Sequence, residues 1–303
     1  MMYVDIILAT FNGEQYIRPL IFSILSQSFR NWNLIIHDDG SSDNTVTIIK
    51  EMIKIDARIR LVDDGIKCGA AANNFMHLLK YSTSTYCMFC DQDDIWFDNK
   101  IEIMLNAISR RSNEFPVVLY SNSYVWIPYQ GIAGQSTFVF PKNIRQFLFL
   151  NSGMQGCVSI FNKKMKEYLL DWKCPCAMHD HLLHLLGLTV GEVEYLHLPL
   201  MLYRQHEHNV TGYTAVTKHN VKQIFINNAL PVVNKEHYDV VSNFYDKYSN
   251  EISNSDAKLM NDYLSFPSKS KMKVLLMIIV DRFQLYGSIL RLILKIIIRP
   301  YIK

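Results

Sequence analysis

The chain has 303 residues, 49% hydrophobic and 19% charged, with a formal net charge of +3. It is long enough to bury a full α/β core with additional helices, and it carries no internal repeat or low-complexity tract. Six cysteines, with Asp5 interrupting any N-terminal leader pattern, point to reduced thiols in the cytoplasm and exclude a disulfide framework.

Val4 to Thr10 is a short, apolar, β-rich run that ends at Phe11-Asn12-Gly13-Glu14, and Ile17, Leu20, Ile21, Ile24 and Leu25 then recur at helical spacing. Trp32 to His37 is a second strand, stopping at Asp38-Asp39-Gly40-Ser41-Ser42-Asp43, with Val46, Ile48, Ile49, Met52 and Ile53 as the next helix face. Ala70 to Lys80 predicts a helix. The apolar run Tyr86 to Phe89 leads directly into Cys90-Asp91-Gln92-Asp93-Asp94-Ile95-Trp96. Three carboxylates within four positions repel one another unless a cation lies among them, and Mg²⁺ or Mn²⁺ suits such a site because it keeps positions for water and phosphate oxygens. A solvated turn with an aspartate cap is the other reading of the same residues. In an open parallel α/β sheet, ligands bind beyond the carboxyl ends of the strands, so the three polar loops should meet in one crevice.

Asn99 to Arg111 predicts another helix and Val117 to Ser121 a strand. Tyr124 to Phe140 has no clean period and reads as a loop on the acceptor side. Met154 to Ile160 predicts a strand in which Gly156 allows close approach. Asp180 stands at the onset of a helix carrying Leu182, Leu183, Leu185 and Leu186, where it could serve as a general base or as a helix cap. Val193 to Leu196 and Pro199 to Leu202 are strand-like, and Tyr203-Arg204-Gln205-His206 follows them. His181, His184 and His197 read as structural. Cys87 and Cys90 have the spacing of half a zinc site but fall in an apolar strand, so no structural zinc is expected.

Ala9 to Glu14, Asp38 to Asp43, Asp91 to Trp96, His179-Asp180 and Tyr203 to His206, in this order, resemble the family-2 glycosyltransferases of the inverting GT-A type. The wording Asp-Gln-Asp-Asp-Ile-Trp is similar to that of bacterial rhamnosyltransferases and related O-antigen and capsule hexosyltransferases. The resemblance implies a Rossmann-like, mostly parallel sheet flanked by helices. Residues 1–122 would form the nucleotide-sugar half, 123–212 the acceptor half, and 213–303 a helical C-terminal region. It further implies that Thr10, Asn12, Glu14, Asp39, Gly69, Asp91 and Arg204 bind the nucleotide, that Asp94 and Gly156 lie by the donor sugar, and that Asp93 and His206 hold Mn²⁺ or Mg²⁺. Asp180 would be the catalytic base. The expected reaction moves rhamnose or a hexose from a UDP- or dTDP-sugar to a lipid-linked saccharide. A non-catalytic sugar-nucleotide-binding scaffold subunit is the alternative.

The segment Lys271 to Lys303 carries seven basic residues against Asp281, so it holds +6 and leaves −3 on residues 1–270. Leu275, Ile279, Phe283, Tyr286, Leu290, Ile293 and Ile297 fall near one helical face, which predicts a basic amphipathic helix on the inner face of the cell membrane. A helix packed on the catalytic domain, or on a partner chain in a homo-oligomer, is the other outcome. The acidic catalytic half excludes nucleic acid.

Overall fold

The computed structural model describes residues 2–206, 209 and 229–302. Strands β1 (Val4–Thr10), β2 (Trp32–Asp38), β3 (Ile59–Val62) and β4 (Tyr86–Cys90) pair in parallel in the order β3-β2-β1-β4. Parallel neighbours need crossovers, and α1 (Ile17–Leu25), α2 (Thr45–Ile55) and α3 (Ala71–Leu78) supply them. With helices on the sheet faces the strands have no solvent side, which explains why β4 is buried at all five positions.

Beyond β4 the sheet becomes mixed. β8 (Ser159–Asn162) pairs antiparallel with β4, β6 (Val117–Ile127) antiparallel with β8, and β9 (Glu192–Arg204) parallel with β6. The two-residue β5 (Ile95–Trp96) adds antiparallel to the end of β9, and β7 (Gly131–Gln135) folds back on β6. The flanking helices here are α4 (Lys100–Ile108), α5 (Ile144–Phe147), α6 (Lys163–Asp171) and α7 (His179–Thr189). The C-terminal part contains α8 (Lys235–Tyr248), α9 (Asn254–Leu264), α10 (Lys271–Asp281) and α11 (Ile289–Ile298).

Several expectations need correction. Tyr124 to Phe140 is not one loop: β6 continues to Ile127 and pairs with β7, because the partner strand satisfies the backbone whatever the side-chain period. Met154 to Ile160 is not one strand, since Gly156–Val158 form a 3₁₀ turn and pairing begins at Ser159. β9 passes through Pro199, which lacks an N–H, and the register with β6 shifts on either side of the Asn122 to Pro199 pair. His181 and His184 are buried, whereas His197 is exposed at the edge of the Phe140 ring.

The C-terminal segment differs most. It is a hairpin of two helices, broken where Arg282 turns left-handed at φ 57°. Phe283, placed on the exposed stripe by periodicity, is buried against Phe149, and the chain end returns to pair with Val232 and Val233. Among the described residues no helix is long and apolar enough to cross a membrane.

Candidate functional site

The three loops beyond β1, β2 and β4 are tied together by side chains. Gln92 bonds the backbone of Phe11 in both directions, Nε2 to the carbonyl at 2.9 Å and Oε1 from the N–H at 3.0 Å. Asn12, at φ 46°, accepts the Ser42 N–H at 2.9 Å, and its own N–H donates to Ser41 Oγ at 2.8 Å. Thr10 Oγ1 donates to Asp38 at 3.0 Å. The side chains of Glu14 and Asp39, expected in the nucleotide pocket, are engaged by the chain itself. Glu14 accepts from Asn44, while Asp39 accepts the N–H groups of Cys68, at 2.5 Å, and Gly69, at 2.9 Å. Asp39 therefore fixes the left-handed Gly69 loop against the tip of β2 and retains lone pairs for one more donor.

Asp91 to Asp94 form the floor. Burial, and then the Asp93 charge, raise the Asp91 carboxyl to about 6. Asp94, expected beside the donor sugar, is instead fully buried; its Oδ1 faces the Arg204 N–H at 3.4 Å and its Oδ2 has no hydrogen-bond partner among the described residues. Burial with the neighbouring Asp93 and Asp91 holds it well above the usual carboxylate range. The compensating charge is Lys100 on the first turn of α4, a residue the sequence reading did not single out. Its buried Nζ donates to Cys157 O at 2.6 Å and lies 3.6 Å from the centre of the Trp96 ring. Burial pushes it down to about 8, opposed by the Asp94 and Asp91 carboxylates among others. The signal was present in the wording Asp94-Ile95-Trp96 followed four residues later by a lysine.

Asp93 and His206, the expected metal ligands, lie side by side: Nε2 is 2.7 Å from Oδ2, and Asn209 Nδ2 donates to the same oxygen at 3.2 Å. The His206 ring stacks on Tyr16 at 4.5 Å. Arg204 donates through Nε to the Asp93 carbonyl at 2.8 Å and lies over the Trp126 ring at 4.3 Å. Its terminal nitrogens make no hydrogen bond among the described residues, and they remain for an anion. Sequence reading missed Tyr16, Trp126 and Asn209, whose roles depend on contacts between residues more than 75 positions apart.

Asp180 occupies the first turn of α7 rather than its N-cap, which is Met178. Burial and the Asp91 charge raise its carboxyl to about 7, against the N–H groups of His181 and Asp180 that lower it, and Oδ1 has no hydrogen-bond partner among the described residues. A carboxyl poised near neutrality can take a proton from a hydroxyl. Gly156, expected to make room for a sugar, makes room instead for His179: a Cβ there would stand 2.4 Å from Nε2. His179 is a neutral core ring between Phe75 and Phe89, its pKa pushed by burial to about 3. Gly153 makes the closer approach to the site, since a Cβ would stand 2.6 Å from the Asp180 carbonyl oxygen. Gly153→Ala should therefore displace Asp180 and lower turnover by about 10²-fold, the cost of a misplacement of about 1 Å; single-turnover rates beside an unchanged donor Kd would check it.

Two clusters have ligand spacing among the described residues. Asp91, Asp94 and Cys157 form one, next to the Asp93 and His206 pair. Carboxylate oxygens with one imidazole suit Mn²⁺ or Mg²⁺, and the Asp94 oxygen without a hydrogen-bond partner among the described residues is a further oxygen acceptor beside them. His37, Asp64 and His77 form the other, but Asp64 already accepts Tyr81 Oη, the Ile66 N–H and His77, so this group is a hydrogen-bonded brace beside the Asp39 loop.

The model of the family Glycosyl transferase family 2 matches residues 5–169, which hold β1 to β4, the carboxylate floor and β8. The chain belongs to glycosyl transferase family 2. This glycosyltransferase is 30% identical over 231 residues to the dTDP-rhamnosyl transferase RfbG of Shigella flexneri, an alignment covering 72% of the chain and 78% of RfbG. It is 35% identical over 158 residues to the Escherichia coli UDP-Glc:alpha-D-GlcNAc-diphosphoundecaprenol beta-1,3-glucosyltransferase WfgD, covering 52% of the chain and 58% of WfgD. The fold is similar to that of S. aureus TarS 1-349 in complex with UDP, with a TM-score of 0.60 at 15% identity over 89% of the chain and 73% of TarS 1-349.

Proposed function

We propose that this family-2 glycosyltransferase is an inverting, divalent-metal-dependent enzyme. It moves rhamnose or another hexose from a UDP- or dTDP-sugar to a lipid-linked saccharide, peripherally on the inner face of a bacterial membrane. The single observation that carries the reading is the juxtaposition of the Asp91 to Asp94 floor with Asp180, a half-buried carboxyl on a different element whose pKa the Asp91 charge helps to raise. The names of RfbG and WfgD supply the two nucleotide classes, and that of WfgD the diphosphate-lipid acceptor.

In this reading the acceptor hydroxyl gives its proton to Asp180 as its oxygen attacks the anomeric carbon, and the bond from that carbon to the diphosphate breaks on the opposite face. Arg204, oriented by the Asp93 carbonyl and the Trp126 face, receives the charge that develops on the leaving phosphate. Asp93 and His206 would hold the metal ion, which when bound neutralises the diphosphate as a Lewis acid. Asp39, Thr10 and Asn12 shape the nucleotide pocket, and Asp94 supports the floor from below through Lys100.

Purified protein incubated with dTDP-rhamnose or UDP-sugars in Mn²⁺ should release nucleoside diphosphate slowly, and faster when a diphosphate-lipid saccharide is added. Chelation should stop both. Tight nucleotide binding with no sugar released from any donor would instead favour the scaffold subunit.

A further inference from the structure

The C-terminal hairpin buries one face and leaves the other bare. Inward, Val274, Ile278, Leu292 and Ile296 join the core; α10 and α11 run antiparallel, the Lys271 ammonium at the start of one donating to the Ile297 carbonyl at the end of the other at 2.7 Å. Outward, Met272, Leu276, Ile279 and Val280 are 55–80% exposed on one face of α10, and Leu290 on α11 is 65% exposed. An isolated exposed aliphatic is ordinary, but four at helical spacing make a patch. Its charges are of one sign. Lys271, Lys273 and Arg282 are exposed, and the hairpin's one acid, Asp281, is buried and paired with Lys258 at 2.9 Å. At the edge of the patch, below Val280, a cleft of about 460 Å³ is lined by Arg145, Lys258, Asp281 and Arg282 among others. Its lining holds three cations against one carboxylate; Lys258 is shared between Asp281 and the neighbouring Asp262, at 3.2 Å, and the Arg282 guanidinium bonds no protein group among the described residues.

We propose that this outward face docks on an anionic bilayer, with the aliphatic strip at the boundary between headgroups and acyl chains and a lipid phosphate in the cleft between Arg145, Lys258 and Arg282. An amphipathic helix with a basic rim gains from both terms. A second copy of the chain fits worse, because it would bring the same cations face to face across the interface. The hairpin is also linked through α5 to the acceptor side of the candidate site. The Gln284 N–H donates to the Arg145 carbonyl at 2.9 Å, Arg145 Nε donates to the Asp281 carbonyl at 3.0 Å, and Phe147 on the same α5 stacks on His181, the residue after Asp180, at 4.8 Å. If Asp180 is the base, as proposed above, docking sets that side of the cleft at the height of a lipid-linked acceptor.

Flotation of the full chain with phosphatidylglycerol-containing and with pure phosphatidylcholine vesicles tests this. The chain should partition onto the former only and release in high salt. Arg282→Gly removes one charge at a left-handed position that glycine tolerates better, and should weaken partition about fivefold, one basic residue's share at an anionic surface. The pair Leu276→Asp and Val280→Asp should abolish it. Donor hydrolysis should match the unaltered chain for all of these variants, and the melting temperature should not fall, since none contributes to the core or to the site. Equal partition onto neutral vesicles, or absence from both with a dimer that Leu276→Asp splits, overturns the proposal. Anionic-vesicle binding in a chain that hydrolyses no donor would uphold the docking face and defeat only the catalytic reading.

Discussion

Asp180→Asn is expected to leave donor affinity within about twofold while lowering turnover by roughly 10² or more, the scale of a lost general base. The substitution keeps the shape of the side chain and its place in the first turn of α7, so packing against Gly153 is preserved. What it removes is a carboxyl whose pKa burial and the Asp91 charge have raised to about 7. Since the base acts when deprotonated, turnover of the unaltered enzyme should rise with pH through about 7, and the variant's residual rate should lose that limb. Stability should move the opposite way. A carboxyl with a folded pKa raised above its ordinary 3.8 contributes stability that is present below about pH 3.8 and lost as pH rises through about 7. The variant should therefore melt close to the unaltered chain near pH 4 and a few degrees above it at pH 8. A fall in donor affinity with turnover per bound donor maintained would make Asp180 a structural residue.

Asp93→Ala is expected to remove the metal-dependent part of nucleotide binding. Asp93 Oδ2 is the atom on which His206 and Asn209 converge, so truncation deletes one proposed ligand and releases the other. Nucleotide at 100 times its Kd stabilises a protein by about 2.7 kcal/mol. A thermal-shift titration with UDP or dTDP should thus show a clear Mn²⁺-dependent rise in Tm for the unaltered chain and almost none for the variant, with turnover lost as well. If the Mn²⁺-dependent shift survives, the ion is held by Asp91 and Asp94 beside Cys157, the cluster whose ligand atoms already lie within 4.8 Å of one another.

The parallel half of the sheet and the meeting of its loops follow from the local pattern of residues. Val4 to Thr10, Trp32 to His37 and Tyr86 to Phe89 are continuous apolar runs because helices cover both sheet faces, and such runs are legible without knowledge of their partners. Loops at the carboxyl ends of adjacent parallel strands converge by topology alone, so Thr10 to Glu14, Asp38 to Ser42 and Asp91 to Asp94 could be placed together from their order. Everything resting on long-range packing was decided only in three dimensions. Lys100, which the sequence reading did not single out, is the buried counter-charge of the floor because Trp96, Cys157 and Met201 close over it. Gly156 read as room for a ligand and proved to be room for His179, a distinction that no spacing encodes. The C-terminal stripe assumed one uninterrupted helix. A turn that starts at left-handed Arg282 divides it, turns Phe283 into the core and leaves Met272, Leu276, Ile279 and Val280 as the bare face, because a break of helical phase reassigns every position after it.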